Sequence, residues 1–257
     1  MFITTPLPMT GKSREVSVRL STLQQLTPDV WQLRFSLAAQ DAFHFEAGQH
    51  AKLEFPEVGV RDFSIASTPA EALTERCVEF HIRAIHGGSF ASLMERGLIA
   101  PGVELKMRGP YGSSFLMTDA SREVLLVAGG SGLAPMLSIA RTAIDSGLRA
   151  PLRLLVGVRS EAEVYAEDLL RKLHERDPRF TFEFVLSTQA ASHDRRVGLV
   201  TDVLRQDYSV MSGMRVHLAG PPAMLGATIA LLRELGVADA DIHADGHIAP
   251  PAQHISG

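Results

Sequence analysis

The segment Val124-Leu-Leu-Val-Ala-Gly-Gly-Ser-Gly-Leu-Ala-Pro-Met136 joins a short unbroken apolar run to a glycine cluster and then to helical spacing. So short an apolar run fits a strand covered on both faces, which is the habit of a parallel sheet. Glycines at the end of such a strand let the backbone approach a phosphate, and the helix that follows offers unpaired N–H groups and a favourable dipole. Pro135 suits the first turn of that helix, where no N–H is needed. The spacing is not the GxGxxG dinucleotide fingerprint. Taken alone, the segment fits a phosphate loop and a tight packing turn about equally.

The chain on either side of this segment differs in pattern. From about Arg122 onward, residues 152–157, 180–186 and 216–219 read as strands, and 135–146, 161–175, 199–204 and 223–235 as helices. Strands alternating with helices predict a parallel sheet with crossover helices. Before that point, residues 16–20, 30–35, 50–55, 78–84 and 103–107 read as short strands separated by Gly, Pro and Asp, with a short helix over 89–96. That pattern predicts an antiparallel β-barrel. Two domains follow, 1–118 and 119–257, joined near residues 119–122, with a ligand cleft expected at the carboxyl ends of the parallel strands.

Composition excludes several classes. The net charge of −4, with no cluster of Lys and Arg among aromatics, argues against a nucleic-acid partner. No run of about 18 apolar residues or basic-then-apolar leader occurs, so no membrane span or signal peptide is expected and the chain is read as cytoplasmic. Cys77 is the single cysteine, so these residues form no disulfide among themselves and hold no four-cysteine iron–sulfur cluster. The histidines lack ligand spacing, so no metal site is expected. Cys77 and Trp31 read as packed residues, residues 167–179 as the solvated face of a helix, and His193, Arg195, Arg196 and His254 as exposed.

Four further motifs are modest singly. Arg61-Asp-Phe-Ser-Ile-Ala-Ser67, at the end of a barrel strand, carries a cation, an aromatic and hydroxyls that can hold a phosphate and stack on a ring. His86-Gly-Gly-Ser-Phe-Ala-Ser92 sets two glycines before a short helix. Gly109-Pro-Tyr-Gly112 reads as a turn that carries Tyr111. Ala219-Gly-Pro-Pro-Ala-Met224 ends a strand and leaves room for a ligand.

In this order the motifs resemble those of the ferredoxin–NADP reductase superfamily, in particular reductase components of bacterial oxygenases and related flavin reductases, from about Arg14 to about His247. The resemblance implies a barrel that binds FAD and an α/β domain that binds NADH or NADPH. It assigns Arg61, Phe63, Ser64 and Ser67 to the flavin motif, Gly87, Gly88, Ser89 and Ser92 to the pyrophosphate cap, and Tyr111 to a ring contact. Ala47-Gly48-Gln49 matches the segment before the flavin motif. Gly129, Gly130, Ser131, Gly132 and Pro135 match the pyridine-nucleotide loop, Arg159 and Ser160 the adenosine ribose, and Gly220, Pro221, Pro222 and Met224 the segment beside the nicotinamide. A lone Arg159 leaves the choice between NADH and NADPH open, with a lean to NADH.

Two positions depart from the family pattern. Ala219 stands where the family usually has Cys, and its loss is expected to slow hydride transfer without abolishing it. Asp245 fits the family's terminal acidic residue, but Gly246 and His247 occupy the place of the aromatic that covers the flavin; His247 could stack there less well. The resemblance implies that Ser64, Ala219 and Asp245 surround the reacting centre. The leading expectation is an NAD(P)H-dependent flavoprotein reductase that passes electrons to a separate ferredoxin or oxygenase component. Two alternatives stand beside it: a reductase of free flavin, and a flavin- and nucleotide-binding subunit with little turnover.

Overall fold

The computed structural model describes residues 13–114, 116, 122–188 and 195–245. The boundary expected near residue 119 and the residues His193, Gly246, His247 and His254 lie outside them.

The first half forms β1 (Arg14–Gln25), β2 (Val30–Leu37), β3 (His50–Phe55), β4 (Gly59–Ser64), β5 (Cys77–Arg83) and β6 (Glu104–Tyr111), with α1 (Pro69–Thr74) and α2 (Ser89–Glu95). These strands pair antiparallel in the order β4-β3-β6-β1-β2-β5. The sheet curls until its ends meet: Ile65, just past β4, bridges to Phe80 on β5. Alternation drives this closure. Val16, Val18 and Leu20 on β1 are buried while their neighbours are exposed, so one face of every strand can turn inward. Leu33, Phe35, Leu53, Phe80 and Met107 fill the interior, fully buried. β4 is the strand whose end carries the Arg61–Ser67 motif, and it has no buried residue; α1 is an element beyond those expected, marked by Thr68 and Glu71, which form a reciprocal capping box.

The second half holds β7 (Val124–Gly129), α3 (Leu133–Asp145), β8 (Leu152–Val158), α4 (Glu167–Arg176), β9 (Phe180–Leu186), β10 (Arg196–Val197), α5 (Val200–Asp207), β11 (Arg215–Ala219), α6 (Pro222–Glu234) and β12 (Ile242–Asp245). All six strands are parallel, in the order β10-β9-β8-β7-β11-β12. Every residue of β7 is buried. Leu126 and Ala128 face the α3 and α4 side, and Leu125 and Val127 face α5 and α6. The expectation for residues 161–175 requires correction. Glu161–Glu163 form a separate 3-10 turn, and Ala166 takes a left-handed φ of 59°, which breaks a continuous helix. Arg195 and Arg196 are also not exposed. Arg195 lies over the Phe184 ring and pairs with Glu161 and Glu167, and Arg196 pairs with Asp207.

The domains are locked together. The Ser138 hydroxyl on α3 donates to the Ser67 carbonyl at 2.7 Å, and Arg141 pairs with Glu71 of α1. The core of the second domain also takes in Val30 and Ala47 from the barrel.

Candidate active site

The parallel strand order reverses direction between β7 and β11, which lie side by side although separated in sequence. Ligands of open α/β sheets bind at such a switch point, outside the carboxyl ends of the strands. Here those ends are Gly129 and Ala219, and both glycine motifs begin there. The two loops touch backbone to backbone. A Cβ on Gly132 would lie 2.2 Å from the Ala219 carbonyl oxygen, and one on Gly129 would lie 2.8 Å from both Pro221 Cδ and Met224 Sδ. These glycines therefore pack the loops together. Gly130 has the opposite surroundings: its φ is 55° and a Cβ there would meet nothing within 4 Å. It leaves an open backbone cradle at the cleft, the feature a phosphate or ring needs in order to approach closely.

A cleft of about 690 Å³ runs between the domains, within the range of small-molecule and cofactor sites. Its barrel wall carries Gly48, His50, Asp62, Phe63, Ser64 and Gly112. Its other wall carries Gly129, Gly130, Ser131, Gly132, Ala219, Gly220, Pro221, Pro222 and Asp245. The three residues expected around the reacting centre come together here. Asp245 lies level with Ala219 in the β11–β12 register, and the Ser64 hydroxyl donates to the Asp245 carboxylate across the domain boundary. With its O–H directed at the carboxylate, the Ser64 oxygen keeps its lone pairs as acceptors in the cleft.

A second cleft of about 440 Å³ continues from the first and shares Arg83, Gly129, Gly130 and Pro221 with it. Gly157, Arg159, Glu163, Ser187, Leu199 and Met224 line it, with Asp29 reaching in from the barrel. Together the clefts make one continuous trough at the carboxyl ends of β7, β8 and β11.

Most of the other expected residues fall outside the cleft lining, and Phe63 reaches the wall of the first cleft while its ring is engaged within the barrel. Arg61 is exposed, donates to the carbonyl of Val60 at 2.8 Å, and lines neither cleft. The Phe63 ring packs edge-on against Phe55 and Phe90, at 5.7 and 5.5 Å between centroids, so its side chain joins the barrel's aromatic cluster. Ser67 is buried and spends its hydroxyl on the Glu79 N–H at 3.1 Å. Gly87, Gly88, Ser89 and Ser92 form the turn and first part of α2, outside the lining of both clefts. Pro135 is buried within α3, and Ser160 precedes the 3-10 turn, also outside the lining. Gly109 and Pro110 belong to β6 rather than to a turn. Tyr111, at the end of that strand, stacks on His50 at 5.8 Å, and Lys52 lies 5.3 Å from its ring centre.

Residue-pattern reasoning missed a polar relay behind Gly130. His81 lines the first cleft, with Nε2 at 2.9 Å from Glu79 and Nδ1 at 3.3 Å from the Tyr165 hydroxyl. Tyr165 in turn donates to the Gly130 carbonyl at 3.4 Å. Burial pushes the Tyr165 hydroxyl well above its ordinary range, so it remains a donor. Burial works to raise the Glu79 carboxyl, but the hydrogen bond and charge of His81, with Gln32 and Arg34, outweigh it and hold Glu79 below its usual value. No motif marks this relay, because His81 and Tyr165 are 84 residues apart. Burial also raises the Cys77 thiol, in keeping with an inert packed cysteine.

Comparison with known proteins agrees with this architecture. Residues 17–115 match the oxidoreductase FAD-binding domain family, and residues 126–229 match the oxidoreductase NAD-binding domain family. Over 233 residues, the chain is 37% identical to the ferredoxin–NAD(P)+ reductase component of the naphthalene 1,2-dioxygenase/salicylate 5-hydroxylase systems of Ralstonia sp., covering 91% of this chain and 69% of that one. It is 31% identical to the reductase component of propane 2-monooxygenase from Gordonia sp., covering 92% and 69%. Among solved structures, the Amycolatopsis cytochrome P450 reductase superposes with a TM-score of 0.82 at 29% identity, covering 90% of this chain and 69% of that one.

Proposed function

This chain belongs to the ferredoxin–NAD(P)+ reductase family, and from that premise we propose that it is the reductase component of an oxygenase system, handing electrons from a reduced nicotinamide nucleotide to a separate ferredoxin or oxygenase component. It is an FAD-dependent NAD(P)H oxidoreductase. The observation that carries the assignment is the meeting of Ser64, Ala219 and Asp245 beside the open Gly130 backbone, at the switch point of the parallel sheet.

The residues present suit both groups. The barrel wall of the first cleft, with Ser64 and His50, would hold the flavin ring, and the trough past Gly130 toward Arg159 would hold the nicotinamide nucleotide. Bound flavin supplies a hydride acceptor that can afterwards release single electrons. The protein's own part is positioning. The packed loops at Gly129, Gly132 and Gly220 fix one wall of the cleft, and the contacts of Ser138 and Arg141 fix it against the barrel. A reacting pair held between two such walls gains the rate that orientation provides. Ser64 keeps a hydrogen-bond acceptor in the cleft, and Asp245 holds the Ser64 proton away from it.

The acceptor is proposed as a separate protein because the Ralstonia and Gordonia relatives are named as reductase components of oxygenase systems. Among the described residues no helix is long and apolar enough to cross a membrane; a cytoplasmic setting, where nicotinamide nucleotides are supplied, fits the lone thiol.

An absorption spectrum of the purified protein, followed by anaerobic addition of NADH and then NADPH, tests the proposal. A yellow protein whose flavin bands bleach, and which then reduces a ferredoxin, meets it. A colourless protein that oxidises nucleotide only with added flavin would mean that flavin is a substrate. A yellow protein that neither donor bleaches would refute the assignment.

A further inference from the structure

The second cleft contains four charged side chains, Asp29, Arg83, Arg159 and Glu163, and they form an alternating chain. Arg83 donates through Nε and a terminal nitrogen to Asp29, at 3.0 and 2.9 Å. Arg159 lies 3.7 Å from the same Asp29 carboxylate and is paired with Glu163 through its guanidinium. The Arg159 backbone N–H also donates to Glu163, at 2.9 Å. Glu163 is thus held from two directions and is 17% exposed at the side chain, whereas Arg159 is 65% exposed. The carboxylate is the fixed member of the pair.

Among the described residues the charges in this cleft sum to zero, and each guanidinium already faces a carboxylate. A 2′-phosphate carries about −1.5 to −2 charges and needs cations with free donors. Here it would have to break the Arg159 pair and would meet Glu163 and Asp29 at close range. An unphosphorylated ribose has the opposite need. Its hydroxyls are donors, and a fixed carboxylate is the acceptor that suits them.

We propose that Glu163, seconded by Asp29, makes this cleft selective for NADH over NADPH by occupying Arg159 and repelling a 2′-phosphate. This rests on the reductase assignment, which places the nucleotide in the trough. Arg159 therefore acts as the anchor of Glu163, not as a phosphate receptor.

Calorimetric titration of the flavin-loaded protein with 5′-AMP and with 2′,5′-ADP, which differ by the 2′-phosphate alone, separates the cases without any turnover. The native protein is expected to bind 5′-AMP at least about tenfold more tightly. Glu163→Gln should lower that ratio about tenfold by tightening 2′,5′-ADP, and Asp29→Asn should move it the same way by less. The steady-state ratio of kcat/KM for NADH and NADPH should follow. Equal binding of both nucleotides by the native protein, or a ratio that neither substitution moves, would overturn the inference and leave the reductase assignment intact. Binding of neither nucleotide would remove the assigned nucleotide site and this inference with it. Should Glu163→Gln lose its flavin or fold, Asp29→Asn supplies the decisive ratio.

Discussion

Lowering the pH should strip stability from the second domain through one residue, His217. Its ring is fully buried on β11, and neither ring nitrogen has a hydrogen-bond partner among the described residues. It stacks on His243 of β12 at 4.9 Å between centroids. Burial, with smaller contributions from His243 and Arg215, lowers its pKa to about 3. The unfolded chain holds a histidine of pKa ~6.5. Above that value both states carry the neutral ring and nothing is lost. Below it the unfolded state gains a proton that the folded state refuses, so stability falls by up to about 1.4 kcal/mol per pH unit until the folded pKa is reached. At pH 5 the loss from this one ring is about 2 kcal/mol. Denaturant unfolding at pH 7.5 and pH 5, on the native protein and on His217→Phe, measures it. The variant keeps a ring to stack on His243 but cannot titrate, so its acid loss should be about 2 kcal/mol smaller. Other groups, including His243, titrate in both proteins and largely cancel in the difference. Equal acid losses would refute the reasoning and mean that the ring takes up its proton in the folded state.

Gly132→Ala places a Cβ against the Ala219 carbonyl, a contact that only backbone movement can relieve; flavin should stay bound while stopped-flow bleaching by NADH slows by roughly tenfold or more. Asp245→Asn removes the charge that holds the Ser64 proton, a hydrogen bond worth about 1.5–3 kcal/mol, and bleaching should slow about tenfold or more, with Ser64→Ala no worse when added to it. Ala219→Cys adds a polarisable thiol where the strand end lines the cleft and should speed bleaching; an unchanged or slower rate would remove Ala219 as the reason for slow transfer. Removing the Tyr165 hydroxyl with Tyr165→Phe should weaken NADH binding by about 1 kcal/mol or less, because the Gly130 carbonyl it contacts is held at 3.4 Å.

The fold was legible where burial follows a simple period. β3 and β9 coincide with the runs read from alternation and aromatic content, and β7 and β11 with the apolar runs that end in glycine. The misses have physical causes. β4 is expected only as the strand that the Arg61–Ser67 motif ends, without bounds of its own, because it is an edge strand with no buried residue and neither face leaves an apolar signal. β10 and β12 are short edges stabilised by pairing to a neighbour rather than by their own composition. The break at Ala166 is set by a left-handed residue that is not glycine, and no local rule marks it.

The site divides along the same line. Glycines that must be glycine are readable, because a bare position after an apolar strand signals close approach whatever it is that approaches; at 132 and 129 it is Ala219, Pro221 and Met224. Side-chain roles are harder to read, because they depend on what the other domain brings. Phe63 has the aromatic face expected of a ring platform, yet Phe55 and Phe90 engage it edge-on; Arg61 carries the right charge but turns to its own strand. Asp29 and Glu163 attracted no notice in sequence, since a single carboxylate on a loop signifies nothing until Arg159 and Arg83 lie against it. The consequence reaches the chemistry. Ser64 and Asp245 are 181 residues apart, and their bond spans an interface held by the contacts from Ser138 to Ser67 and from Arg141 to Glu71, with Val30 and Ala47 packed into the second core. The Ser64–Asp245 pairing is thus a property of the domain interface, and substitutions there should slow bleaching by NADH even though Ser138 and Arg141 line neither cleft.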